Sequence, residues 1–245
     1  MAEIIKAEAI VLRKTNFKDS SLIVQFYTKE FGKISALLKG ARSSKSKIGS
    51  KVDVLNHTEI VLYKKEEREL HLVTQANLKN HFPNIKEDLD RLKYASSVCE
   101  LILNLIPENE SNERIFRGMV KIISLMNKKE SDPQVLFARF FLFFIKEIGY
   151  EISTEECVSC GNPFVNSKHN AFNYAEGIIC ENCYNEQILA YKLSAELFEL
   201  FNCLSTRKKI VLVDKKNIDS IIFILEKFLT YHIPEFKGIR TLKLL

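Results

Sequence analysis

Residues 21–41 read SLIVQFYTKEFGKISALLKGA. Two apolar runs, SLIVQFYT (21–28) and KISALLKGA (33–41), flank KEFGK, in which Gly32 supplies a turn. Short runs of β-branched and apolar residues bounded by turn residues predict paired strands. The same texture extends to both sides. KAEAIVLRK (6–14) precedes the pair, and HTEIVLYK (57–64) and ELHLVTQ (69–75) follow it. The charged stretch KKEERE (64–69) reads as the tip of a last hairpin. Five short strands suit a small closed barrel, of which the OB-fold is the commonest five-stranded case. An SH3-like barrel would leave nearly the same pattern.

Between the third and fourth runs lies KISALLKGARSSKSKIGSKV (33–52), which carries six basic residues. These are Lys33, Lys39, Arg42, Lys45, Lys47 and Lys51, with no acidic residue between Glu30 and Asp53. Residues 1–80 hold fifteen Lys+Arg against nine Asp+Glu, while the remainder holds 21 against 22. The excess charge therefore belongs to the barrel, and charge localised in this way points to a polyanion. Gly and Ser around the lysines predict a flexible loop that can follow a phosphate backbone, with Arg42 forking onto two oxygens. The order GxxxxGK[ST] is absent, so this is no nucleotide P-loop. Arg13 on the first strand joins the candidate DNA contacts. Phe17, Phe26, Tyr27, Phe31 and Tyr63 are available for base stacking, although strand alternation sends most such rings into the core. A solvated hairpin loop is the alternative.

After Pro83 the hydrophobic period changes from two to between three and four. Leu89, Leu92, Ser96, Cys99, Leu103 and Ile106 predict one helix, and Ile115, Met119, Ile122, Ile123 and Met126 a second. Asp132-Pro133 caps a third, dense in apolar residues and ending at Gly149. Two more follow from Ser194 and through Ile218–Leu229. The longest apolar run, VLFARFFLFFI (135–145), contains Arg139 and is too short to span a bilayer. No secretory leader is apparent, and a reducing cytoplasm is expected.

CVSCGNPFVNSKHNAFNYAEGIICENC (157–183) interrupts the helices. Two CxxC pairs at this spacing match a zinc site better than a redox pair or disulfides, since no βαβ pattern surrounds them. Cys157, Cys160, Cys180 and Cys183 are the expected ligands of one structural Zn2+. Four thiolates leave no position for water or substrate, so the metal braces a ribbon and performs no chemistry. His57-Thr58-Glu59 matches part of the zinc-deaminase signature, but neither CxxC is preceded by proline. Cys99 and Cys203 read as packing thiols. The expected architecture is α+β and multi-domain: an OB-fold barrel over 1–80, a helical domain over 81–245, and a zinc ribbon inserted at 154–186.

The combination resembles the RecO family of bacterial recombination mediators over nearly the whole chain. The resemblance rests on FYTKEFGK, on KGAR followed by SKSK, on FARFFLFFIKEIGY, on the CxxCG…CxxC set and on IPEFKGIRTLKLL, in that order. It implies a non-enzymatic protein that binds single- and double-stranded DNA and anneals complementary strands. It also implies partnership with RecR and recognition of the acidic C-terminal tail of single-stranded-DNA-binding protein, so that RecA loads on coated strands. Arg139 occupies the family's basic position on the core helix, a candidate for that tail's carboxylates. Phe140-Phe141 departs from the pattern, in which an acidic residue often follows the aromatic. A cytoplasmic, nucleoid-associated protein is expected. Another barrel-and-ribbon RNA-binding or transcription protein, and a pure interaction scaffold, are the competing readings.

Overall fold

The computed structural model describes residues 3–64, 70–164, 170–185, 190–206 and 214–244. Five strands close into a barrel: β1 (Glu3–Phe17), β2 (Ser21–Thr28), β3 (Gly32–Leu38), β4 (His57–Lys64) and β5 (Leu70–Asn80). Their order is β1-β2-β3-β5-β4, with β1 also paired to β4 and β3 running parallel to β5. This is the OB-type barrel. The proposed hairpin tip KKEERE lies outside the described residues save for its first, Lys64. Strand β1 serves two neighbours, β4 along its first half and β2 along its second, with a bulge between Val11 and Arg13. Bulges bend a strand, and the bend lets one strand close both sides of a small barrel.

Strand alternation fills the interior. Ala7, Ala9 and Val11 face Leu22, Val24 and Phe26, and Ile34, Ala36, Leu38, Ile60, Leu62, Val73 and Ala76 complete the core. Alanines at 7, 9, 36 and 76 among these larger side chains suit a barrel with little internal space. Phe26 and Tyr27 are both fully buried and Phe31 packs against the core, so none of the three is a stacking platform. Tyr63 is 39% exposed.

By compactness the chain forms two units, residues 1–131 with 241–245, and 132–240. In the first unit, a single turn α1 (Pro83–Lys86) leads into α2 (Leu89–Leu105) and α3 (Glu113–Met126). Asp88 and Asn112 cap α2 and α3 through their side chains. The inward face of α3 is the predicted one. That of α2 is not: Leu89 is 73% exposed, whereas Arg91, Tyr94, Ala95, Val98 and Ile102 are buried. Arg91 explains the rotation. Its guanidinium donates to the carbonyls of Met126, Lys128, Lys129 and Ser131 and to Ser131 Oγ. It thereby gathers carbonyls at and just beyond the C-terminal end of α3, where intrahelical donors run out. The C-terminal segment is docked as well. α7 (Thr241–Leu244) meets α2, and the Thr241 amide donates to Glu100.

In the second unit, α4 (Pro133–Glu147), α5 (Ala195–Ser205) and α6 (Lys215–His232) pack together. Asp132 caps α4, and Phe137, Phe140, Phe141, Phe144 and Ile145 are buried along it. Between α4 and α5 lies a three-stranded sheet ordered β7-β6-β8: β6 (Asn170–Asn173), β7 (Gly177–Ile179) and β8 (Ala190–Leu193). It holds the cysteine segment. Among the described residues, no helix is long and apolar enough to cross a membrane.

Candidate metal centre and nucleic-acid interface

The four cysteine sulfurs of 157, 160, 180 and 183 all lie within 4.8 Å of one another. Each CxxC is folded by a tight turn. Gly161 N–H donates to Cys157 O at 2.8 Å, and Cys183 N–H donates to Cys180 O at 3.1 Å. The amide of Cys180 donates to Cys157 Sγ at 3.3 Å, tying one pair to the other. Cys160 and Cys180 sulfurs are 3.8 Å apart. A tetrahedral ion with metal–sulfur bonds of zinc length requires about 3.8 Å between ligands, so the set fits such an ion.

The acidities point the same way. Burial would raise the Cys157 thiol, but the amides of Cys180, Cys160 and Ser159 outweigh it and bring it down to about 6. Cys183 is pushed up to about 12, chiefly by hydrogen bonding to the Cys160 and Cys180 sulfurs. Four thiols this close cannot all ionise without a cation between them, and a divalent metal removes the conflict. His57 has another role. Its Nε2 is 2.7 Å from Glu8 Oε1 on the barrel, and the sulfur set needs no fifth ligand. Cys99 is buried and its thiol raised to about 12, as expected of a packing residue. Cys203 is only half-buried, with its thiol directed to Glu199.

The basic residues do not form one line. The segment after β3 is folded rather than loose. Ala41 and Val52 belong to the barrel core and Ile48 packs against it. A short 3-10 turn covers Gly49–Lys51. At Gly49 the segment crosses itself: a Cβ there would lie 2.0 Å from Ala41 O. Lys39, Lys45 and Lys47 are exposed from this scaffold, and Lys51 is half-buried.

Arg42 departs from its predicted role. Its amide donates to Ser20 O, and its Nη2 donates to the carbonyls of Lys18 (2.5 Å) and Asp19 (2.7 Å). The fork expected to meet phosphate holds the β1–β2 turn instead. Lys18, which sequence reasoning passed over, is brought beside the loop by this contact. Asp53, the first acid after the loop, is held by Lys14 (2.5 Å) and Lys86 (3.2 Å). Burial alone would raise its carboxyl, but the two lysines hold it below the ordinary carboxylate value.

Lys33 is a correction. It is 8% exposed, donates to Leu103 O at 2.8 Å and pairs with Glu108 at 3.8 Å. Burial lowers its pKa, with Glu108 acting in the opposite direction. Its nitrogen satisfies a carbonyl in the last turn of α2, so it is committed to the interior rather than presented to solvent as expected. The turn before it is equally committed. A Cβ on Gly32 (φ +68°) would lie 2.0 Å from Glu110 O. Arg13 is exposed but stands opposite Gln25, three pairs along β2 from Leu22↔Leu38 at the loop end, about 10 Å away. Of the expected basic contacts, Lys39, Lys45, Lys47 and Lys51 remain on the folded segment, with Lys18 beside it.

Arg139 is half-buried on α4, one turn from the half-buried Leu136 and Phe143, with Lys146 exposed a further turn along. Phe140 and Phe141, where the family pattern is broken, are 2% and 0% exposed.

A closed OB-type barrel with a lysine-bearing end, followed by helices and a four-cysteine ribbon, defines a barrel-and-ribbon protein. Residues 1–82 match the family model described as recombination protein O N terminal, and residues 86–238 match recombination protein O C terminal. The chain belongs to the RecO family. It is 32% identical over 202 residues to a protein named DNA repair protein RecO from Alkaliphilus metalliredigens, covering 82% of this chain and 80% of that one. It is 28% identical over 191 residues to the protein of that name from Clostridium novyi, covering 78% and 73%. The protein of that name from Prosthecochloris aestuarii is 32% identical over 162 residues, covering 66% and 61%.

Proposed function

We propose that this chain is a non-enzymatic DNA-repair and recombination mediator of the cytoplasm and nucleoid. It binds single- and double-stranded DNA and anneals complementary strands. With RecR it helps RecA load on strands coated by single-stranded-DNA-binding protein. The observation that carries the reading is the folded, acid-free segment 39–52. It holds Lys39, Lys45 and Lys47 in solvent, and none of them has an ion-pair partner among the described residues. Lysines held this way can neutralise two phosphate backbones at once, which lowers the repulsion between strands and favours annealing without catalytic groups.

The four cysteines hold Zn2+ in a closed sphere that shapes the ribbon. On α4, Arg139 between Leu136 and Phe143 offers a cation set among apolar side chains. This suits the acidic tail of single-stranded-DNA-binding protein.

The test is binding and strand annealing across a salt series with K39E/K45E/K47E. Affinity for single and duplex DNA is expected to fall at least tenfold, and the salt slope to become shallower by about 0.7 per lost phosphate contact on single strands and about 0.9 on duplex. Unchanged affinity would overturn the reading, and a strong preference of the wild type for RNA would replace it with an RNA-binding one.

A further inference from the structure

Helix α6 carries a line of side chains that its packing does not use. Lys216, Ser220, Phe223, Lys227 and Tyr231 follow one another at three- and four-residue steps, so they share one face of the helix. Phe223 is 46% exposed and Tyr231 is 57% exposed. Among the described residues, only one other aromatic ring, Tyr63, ranks as a large exposed hydrophobic. Two of three such rings therefore stand on a single helix face, about 12 Å apart along its axis. Lys227 is one turn from each and lies over the Phe223 ring, with Nζ 5.5 Å from the centroid. On β8, Tyr191 widens the surface. Its ring is 6.3 Å from Phe223, and its hydroxyl is 3.4 Å from Ser220 Oγ.

A phenylalanine left 46% exposed keeps much of its apolar ring in water despite its contacts with Tyr191 and Lys227. Whatever covers this face must accept flat apolar rings and ammonium groups alternately. Asp219, on the same helix side, is exposed and accepts from Gln134 Nε2 at 2.5 Å, and Glu226 is half-buried, so the exposed Lys216 and Lys227 outnumber the one exposed acid and leave this face net positive. Unpaired nucleotides combine the two requirements: each has a π-face for stacking and a phosphate for a lysine. An apolar peptide would leave the lysines unanswered, and a duplex keeps its base faces stacked inside.

We infer that the outer face of α6 with Tyr191 is a second contact for single-stranded nucleic acid, separate from the lysine end of the barrel. Bases stack on Phe223 and Tyr231, and backbone phosphates meet Lys227 and Lys216. The inference rests on the DNA-binding reading but uses different residues, so the two fail separately.

The test uses the full zinc-loaded chain with an oligothymidylate and a duplex of equal length. F223A/Y231A is expected to weaken oligothymidylate binding about tenfold or more while duplex affinity stays within about twofold. The chain contains no tryptophan, so F223W places the sole indole emitter at the site. Its emission should be quenched as the oligothymidylate saturates. F223W retains a ring and decides the matter if the double alanine variant melts below wild type. Oligothymidylate affinity unchanged in a normally melting F223A/Y231A, or F223W emission indifferent to saturating strand, would overturn the inference alone. A wild type that binds neither strand form would overturn both readings.

Discussion

The barrel and the ribbon hold themselves together by opposite means. The barrel interior is a continuous apolar cluster drawn from all five strands. The ribbon's own buried cluster is Cys157, Ala171 and Ile179, with the partly buried Phe164, Cys180, Cys183, Tyr184 and Ala190 around it. Three of the ribbon's metal ligands are thus part of its packing. Apolar burial stabilises the barrel whatever the solution contains, whereas the ribbon's fold is linked to an ion and to the protonation of its ligands. The difference teaches where each tolerates change: the barrel at its surface, the ribbon almost nowhere near its sulfurs.

Removing the metal should separate the two most sharply. Chelation, or C157A, is expected to abolish amide-exchange protection across β6 and β7 while β1–β5 keep theirs. A barrel that loses protection in parallel would show the two to be one cooperative unit. The reverse change is next in size. F26A should cost the barrel about 3–5 kcal/mol in denaturant melts, as a large ring lost from a full core does. Its zinc content should stay stoichiometric.

A smaller effect divides the lysines. K33M should alter the melting temperature and leave DNA affinity and its salt slope at wild-type values, because Lys33 faces Leu103 O and not solvent. A loss of affinity without a stability change would return Lys33 to the interface. The smallest effect concerns pH. Burial lowers His57 below 6.5, against the pull of Glu8. Folding thus favours the neutral ring, and stability is lost as pH falls from 6.5 through the lower folded value. Glu8 opposes its own burial through Lys79 and His57 and ends below 4.5, so its contribution is present above 4.5 and is lost at still lower pH. Melts of wild type and H57Q between neutral and acid pH should differ most in the upper step, with a smaller change in the lower one because Glu8 loses its His57 partner and keeps Lys79, while zinc-site protonation would appear as early loss of the ribbon.

Strands and caps were legible because their causes are local. Alternation, the Asp132-Pro133 cap and the CxxC spacing each depend on a few neighbouring residues, and the structure has them where expected. The misreadings share a different cause. Lys33, Arg42 and Arg91 are charged residues whose partners are backbone carbonyls up to 70 residues away. A carbonyl has no identity in sequence, so nothing in the order of residues marks such a lysine as interior. The loop after β3 misled for a related reason. Gly, Ser and Lys read as flexible, and only the approach of Gly49 to Ala41 shows why small residues are required there. On α2, spacing alone could not choose between Leu92 and Arg91 as the buried neighbour.

The double duty of β1 sets a timetable for the growing chain. Its second half pairs with β2 within a few residues, but its first half must wait for β4, with Ile5 opposite Leu62. Local pairs form before distant ones because closing a long loop costs entropy first. During synthesis the β1–β2–β3 meander should therefore assemble early with one flank open. Only the emergence of β4 and β5 from the ribosome lets the cylinder shut, and a pause in translation before that point would leave an unpaired strand exposed to neighbouring chains.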